Sequence, residues 1–312
     1  MHTSPHPLPA ITLDGLTKRY GERAAVDDLS LAVPPGAVAG LIGPNGAGKT
    51  TVMAMLLGLV EPSAGRATVL GRPVSDPASY LGRVGALIES PAFHPALTGE
   101  QNLALLCRLG DHDRSQIPEL LDLVGLTGRG GDRYGTYSLG MKQRLGIAAA
   151  LLGDPALVIL DEPTNGVDPA GMRDIRRIIR DIADQGRTIL VSSHLLSELE
   201  QVCDWLVVID HGGLVYEGTT DAFGADDHAT LVVHTGQVQD LVPLEQVLVQ
   251  SGLAATRTAT SVEITVNGDE PDALAATVNR TAYEAGIVLT ELHHERADLE
   301  ARYFALVQGE TP

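Results

Sequence analysis

The 312-residue chain is 44% hydrophobic and 20% charged, long enough for one large core and a second, smaller one. Its formal charge of −18 divides into −8 before residue 222 (18 basic against 26 acidic) and −10 from there on (4 against 14). That balance argues against direct nucleic-acid binding, which needs clustered Lys and Arg to neutralise phosphates.

The start, MHTSPHPLPA, lacks the basic and apolar regions of a signal peptide. ITLDGLTKRYGERAAVDDLSLAV reads as an antiparallel hairpin region. AVAGLIG (37–43) reads as a buried strand, followed by a helix from residue 49 to about 59, and VGALI (84–88) reads as another strand. From about 94 to 153 the chain is helix-dominated: LTGEQNLALL and IPELLDLVGL have amphipathic spacing, which predicts a helical insertion between core strands. Strand signals resume with ALVIL (156–160), TILVS (188–192) and WLVVI (205–209), so the alternation predicts a doubly wound α/β architecture. After GTTDAFGADD the pattern changes to strand (ATLVVHT), helix (LEQVLVQS), strand (VEITV), helix (PDALAATVNRTAYEA), strand (IVLTEL) and helix (LEARYFALV). The expected organisation is a first domain over residues 1–221 and a small α+β domain over 228–312.

The longest apolar runs, residues 52–60 and 148–152, fall well short of the roughly 18 residues of a spanning helix. Any membrane association is therefore expected to come through a partner. Cys107 and Cys203 match no zinc or redox spacing and read as buried thiols of a reduced, cytosolic protein.

Chemistry concentrates in a few motifs. GPNGAGKT, comprising Gly43, Pro44, Asn45, Gly46, Ala47, Gly48, Lys49 and Thr50, matches G-x-x-x-x-G-K-[ST] between a predicted strand and helix, with Thr51 next in line. Its glycines let backbone N–H groups wrap a polyphosphate at the positive end of the helix, while Lys49, one of only three lysines, reaches the terminal phosphates and Thr50 can bind Mg²⁺. ALVILDEP ends an apolar strand on two carboxylates. Alternation along a strand would point them to opposite sides, Asp161 to hold Mg²⁺ and Glu162 to orient or deprotonate an attacking water. In YSLGMKQRLGIAAALL, Ser138 on its own reads as a helix cap.

With that segment lying just before the DE strand, residues 11–220 resemble the ATP-binding cassette (ABC) family, whose LSGGQ-like signature separates the helical insertion from the second carboxylate motif. Leu139 and Met141 replace the family's Gly and Gln, while Ser138 and Gly140, which in the family cradle the γ-phosphate, are retained. The resemblance makes TNGVDP the D-loop, with Asp168 at its acidic position. It makes His194 of SSH the γ-phosphate sensor, where a lone His after a strand would otherwise read as a satisfied polar residue. It also makes Tyr20 the aromatic residue that stacks on adenine, against a core Tyr. Glu89 falls where the family has its Q-loop glutamine, which contacts Mg²⁺ and the attacking water on one side and the membrane subunit on the other. There it would be a metal-facing carboxylate rather than an unpaired buried one. Followed by Ser-Pro-Ala-Phe, it resembles the E-loop of bacitracin and lantibiotic self-resistance exporters.

The resemblance implies a P-loop ABC ATPase fold with an antiparallel β subdomain and a helical insertion, plus the small C-terminal α+β domain. It implies the separately encoded ATPase subunit of an exporter, peripheral on the cytoplasmic face of the membrane and working with a membrane permease. Two copies would sandwich two ATP-Mg²⁺, each site pairing one phosphate loop with Ser138 and Gly140 of the other copy. A non-transport ABC protein acting on nucleic acid or ribosomes, and an importer ATPase, are the alternatives. The end, DLEARYFALV, resembles the closing helix of the small domain on drug- and antibiotic-export ATPases, which implies dimerisation or regulation; the plain reading is an acidic extension.

Overall fold

The computed structural model describes residues 8–89, 91–225, 230–265, 271–295 and 299–308. Ser90, which follows Glu89, the last residue of the expected strand at 262–266 and Asp298 of the expected closing segment lie outside the described residues. Two compact units, Met1–Thr220 and Asp221–Pro312, make up the chain.

In the first unit, β1 (Ile11–Tyr20) and β2 (Arg23–Val33) form an antiparallel hairpin that turns at Gly21, whose φ of 61° favours glycine. β3 (Val38–Ile42) and α1 (Lys49–Leu56) follow, then β4 (Ala64–Val69) and β5 (Arg72–Pro73), which extend the hairpin into a sheet of order β2-β1-β4-β5. β6 (Val84–Leu87) leads into a helical segment with α2 (Gly99–Gly110), α3 (Ile117–Leu123) and α4 (Leu139–Ala150). The remaining elements are β7 (Leu157–Leu160), α5 (Pro169–Ala183), β8 (Thr188–Ser193), α6 (Leu196–Leu199), β9 (Trp205–Asp210) and β10 (Gly213–Thr219); α7 (Thr220–Ala225) follows, with all but its first residue in the second unit.

The core of this unit is a sheet of order β10-β9-β3-β8-β7-β6. β9, β3, β8, β7 and β6 run parallel and only β10 is antiparallel, at one edge. Every residue of β3, β7 and β8 is buried, as expected of parallel strands covered on both faces. Parallel strands also deliver their following loops to one edge, where α/β sheets place their ligands.

Two local expectations are corrected. α1 ends at Leu56 rather than near residue 59, because Gly58 enters the left-handed region (φ 66°) and the Gly58 and Leu59 N–H groups close the helix on the Met55 and Ala54 carbonyls. Strand alternation does not separate Asp161 from Glu162: β7 stops at Leu160, and Glu162 takes a φ of 45°, so a left-handed backbone turn separates the two carboxylates.

The second unit runs β11 (Thr230–Thr235), α8 (Leu241–Gln250), β12 (Ala255–Arg257), β13 (Val262–Thr265), α9 (Pro271–Glu284), β14 (Leu289–Glu295) and α10 (Leu299–Gln308). Its antiparallel sheet has the order β12-β13-β11-β14. Leu231, Val233, Val262 and Ile264 on that sheet share a core with Leu244 and Leu248 of α8 and Val278 of α9. The sequence pattern omits β12, which has three residues and only partial burial.

Candidate active site

The loop from Gly43 to Gly48 leaves the buried end of β3 and turns into α1, and its shape depends on missing side chains. A Cβ at Gly43 would overlap the Ile209 carbonyl oxygen, and one at Gly48 would overlap the Ala25 carbonyl oxygen. Gly46 and Gly48 also lie at φ 87° and 107°. Gly48 is the N-cap residue and supplies no side-chain acceptor, so the N–H groups of the first turn of α1 stay available to an anion.

Lys49 is 6% exposed. Its ammonium donates to the Gly43 and Pro44 carbonyls at 2.7 and 3.3 Å and lies 3.5 Å from Glu162 Oε1. The other Glu162 oxygen accepts from His194 Nδ1 at 3.2 Å. Beside this pair, Thr50 Oγ1 donates to Asp161 Oδ2 at 2.8 Å, and Ser192 Oγ donates to Asp161 Oδ1 at 2.6 Å while accepting the Glu162 N–H at 2.9 Å. The ends of β3, β7 and β8 thus bring together one buried ammonium, two carboxylates with different partners, and an imidazole.

A cleft of about 470 Å³ opens over these groups, lined by Tyr20, Arg23, Ala25, Asn45, Gly46, Gly48, Lys49, Thr50, Thr51 and Glu162. Tyr20 is 53% exposed, which leaves its ring open to stack on a flat partner and rules out the core reading. Nitrogen donors around a space at the helix start suit a polyphosphate. The Thr50 hydroxyl and Asp161 carboxylate are the hard oxygen donors that Mg²⁺ takes.

Nine of the site residues singled out by sequence are not among those lining the cleft: Gly43, Pro44, Ala47, Asp161 and His194 belong to the phosphate loop or to the hydrogen-bonded cluster around Lys49 and Glu162, whereas Ser138, Gly140, Asp168 and Glu89 belong to neither. Ser138 caps α4, its Oγ accepting the Met141 N–H at 3.3 Å, as the plain reading has it. Asp168 caps α5 through the Gly171 N–H at 3.2 Å. Gly140 packs on this second cluster: a Cβ there would sit 3.3 Å from Val167 Cγ1. Glu89 is exposed and turns at φ 56° just beyond β6, and it is not among the residues lining the cleft.

Three site groups escaped the sequence reading. Ser192 is fully buried, and its signal is two serines ending an otherwise apolar strand. Glu198 accepts from Thr164 Oγ1 at 2.6 Å and from Ser193 Oγ at 3.1 Å, with no local signal. Arg23, just past the hairpin turn, reaches the cleft wall near Gly46.

Comparison with known proteins gives a family model described as ABC transporter, matching residues 26–165. The ABC transporter ATP-binding protein YcbN of Bacillus subtilis is 37% identical over 304 residues, covering 96% of this chain and 97% of its own. The bacitracin transport ATP-binding protein BcrA of Bacillus licheniformis is 45% identical over 206 residues, 65% of each chain. The daunorubicin resistance ATP-binding protein DrrA3 of Streptomyces coeruleorubidus is 36% identical over 309 residues, 95% of each. Among solved structures, an ATP-binding subunit of an ABC transporter superposes with a TM-score of 0.62 at 30% identity, covering 70% of this chain and 92% of that one.

Proposed function

The chain belongs to the ABC transporter family of ATP-binding proteins, and from that premise we propose that it powers efflux of a drug or peptide antibiotic through a membrane permease. Like other members it binds and hydrolyses ATP with Mg²⁺, dimerises and works with a separate permease. Among the described residues no helix is long and apolar enough to cross a membrane, so we place it peripherally on the cytoplasmic face, held by that permease.

The observation that carries the site assignment is that Lys49, Thr50 and Glu162 line one cleft while Asp161 and His194 are hydrogen-bonded to Thr50 and Glu162. Adenine stacks on Tyr20, and the loop amides and Lys49 take the phosphates. Thr50 and Asp161 would hold Mg²⁺, which would supply charge neutralisation of the phosphates. Glu162 orients and deprotonates the attacking water, and His194, hydrogen-bonded to it, senses the γ-phosphate. Ser138 and Gly140, retained at the family's signature positions, serve the nucleotide of a second copy. Contacts from both copies to the γ-phosphate exist only with ATP, so hydrolysis releases the pair and resets the permease.

The efflux reading is tested by drug sensitivity. Cells carrying this chain with its membrane partner should tolerate some member of a panel including bacitracin and daunorubicin better than cells carrying the Glu162→Gln form. Equal sensitivity across the panel would count against export of such compounds.

A further inference from the structure

We propose that Tyr134 is a positioning residue that ties the loop following Glu89 to the placement of Ser138. This rests on the reading that Ser138 serves the nucleotide of a second copy.

Pro91, two residues after Glu89, is held on two sides. Its carbonyl accepts the Tyr134 hydroxyl at 3.0 Å, and its ring lies against Gly146 of α4, where an added Cβ would come within 2.8 Å of Pro91 Cγ. Phe93 meets Tyr134 edge to face, with ring centroids 5.2 Å apart at 79°, and the Tyr134 ring lies 5.9 Å from that of Tyr137. Tyr137 immediately precedes Ser138, and its hydroxyl is fixed by the Arg129 carbonyl at 2.7 Å. The backbone repeats the connection: the Tyr134 N–H donates to the Leu97 carbonyl, the Gly135 N–H to the Pro95 carbonyl, and Thr98 bridges Arg133.

Residues 91–98 and 129–137 are thereby bound side by side, and the second stretch runs directly into the cap of α4. A helix does not compress, so a shift of Pro91 against α4 is carried to Ser138 rather than absorbed between them. Tyr134 joins the side-chain and backbone connections. Both phenols are protonated donors at neutral pH in any case, and burial raises their pKa further. Lys142, over the Tyr134 ring at 5.4 Å, holds that ring from the α4 side.

The test uses the full chain and compares Tyr134→Phe, Phe93→Leu, Ser138→Ala and the Tyr134→Phe, Ser138→Ala double variant. Steady-state ATP hydrolysis, direct nucleotide binding and melting temperature are measured for each. Tyr134→Phe should lower kcat about fivefold, the factor carried by one ordinary hydrogen bond, with KM and nucleotide affinity close to wild type and a melting temperature lowered by only a few degrees. Phe93→Leu should act in the same direction. In the double variant Tyr134→Phe should add nothing to Ser138→Ala, as expected of two residues acting through one placement.

A wild-type kcat in Tyr134→Phe overturns the proposal. So does a loss that tracks melting temperature and affinity, or one that multiplies independently with Ser138→Ala. If Ser138→Ala itself hydrolyses ATP normally, the assignment of Ser138 fails instead.

Discussion

Ser192 donates its hydroxyl proton to Asp161 Oδ1 at 2.6 Å from a fully buried position, so that Oδ2 is the oxygen turned toward Thr50. The same hydroxyl accepts the Glu162 N–H and so sets the start of the left-handed turn that sends the second carboxylate toward Lys49. Ser192→Ala leaves a buried carboxylate oxygen and an amide without this partner, at a cost of about 1–3 kcal/mol. Chemical denaturation should detect that loss, and the Mg²⁺ concentration needed for half-maximal hydrolysis should rise. Unchanged stability and Mg²⁺ dependence would mean that Ser192 does not orient Asp161.

Lys49 bonds to its own loop and faces Glu162. Lys49→Ala removes the buried cation beside the terminal phosphates, so ATP affinity should fall at least about tenfold, in keeping with the strength of charge-assisted contacts to phosphate. Direct titration of nucleotide checks this. Wild-type affinity would mean that the phosphate loop is misassigned.

Glu89 is exposed and lies outside the cleft lining, so Glu89→Gln should leave hydrolysis by the chain alone within a few-fold of wild type. We expect its carboxylate to matter at the permease, where a charge can pair with a basic partner. Resistance in cells with the cognate permease should therefore fall by a larger factor than hydrolysis. Equal effects on both would remove the coupling role.

The sequence was most legible where chemistry and local geometry coincide. The phosphate loop needs its glycines because carbonyls of Ile209 and Ala25 occupy the space of a Cβ, and the buried strands β3, β7 and β8 are near-continuous apolar runs. It was less legible where one backbone angle decides the outcome. Glu162 and Glu89 both turn left-handed, which glutamate does not advertise, and alternation therefore gave the right divergence of Asp161 and Glu162 for the wrong reason. Ser138 read locally as a helix cap and is one, whereas the cap made by Asp168 was not read from the sequence. Any further role needs a second copy, which lies outside what spacing along one chain can reveal. β12 was missed because three residues carry no period.

Every residue lining the cleft lies within Met1–Thr220, and the second unit has its own apolar core. A chain ending at residue 220 should fold with a cooperative melt and bind ATP with near wild-type affinity. Calorimetry and nucleotide titration of that truncated form check the division. Failure to fold would show that the first unit depends on the second.

The central claim is that this cleft hydrolyses ATP with Glu162 acting on the attacking water, and the most direct measurement is nucleotide affinity and turnover of Glu162→Gln on one preparation. The amide keeps the size of the side chain and loses its basicity. ATP affinity should stay within a few-fold of wild type while turnover falls at least about a hundredfold, the usual worth of a general base, and an ATP-bound dimer should accumulate on gel filtration. Turnover near wild type, or equal loss of binding and turnover, would contradict the account.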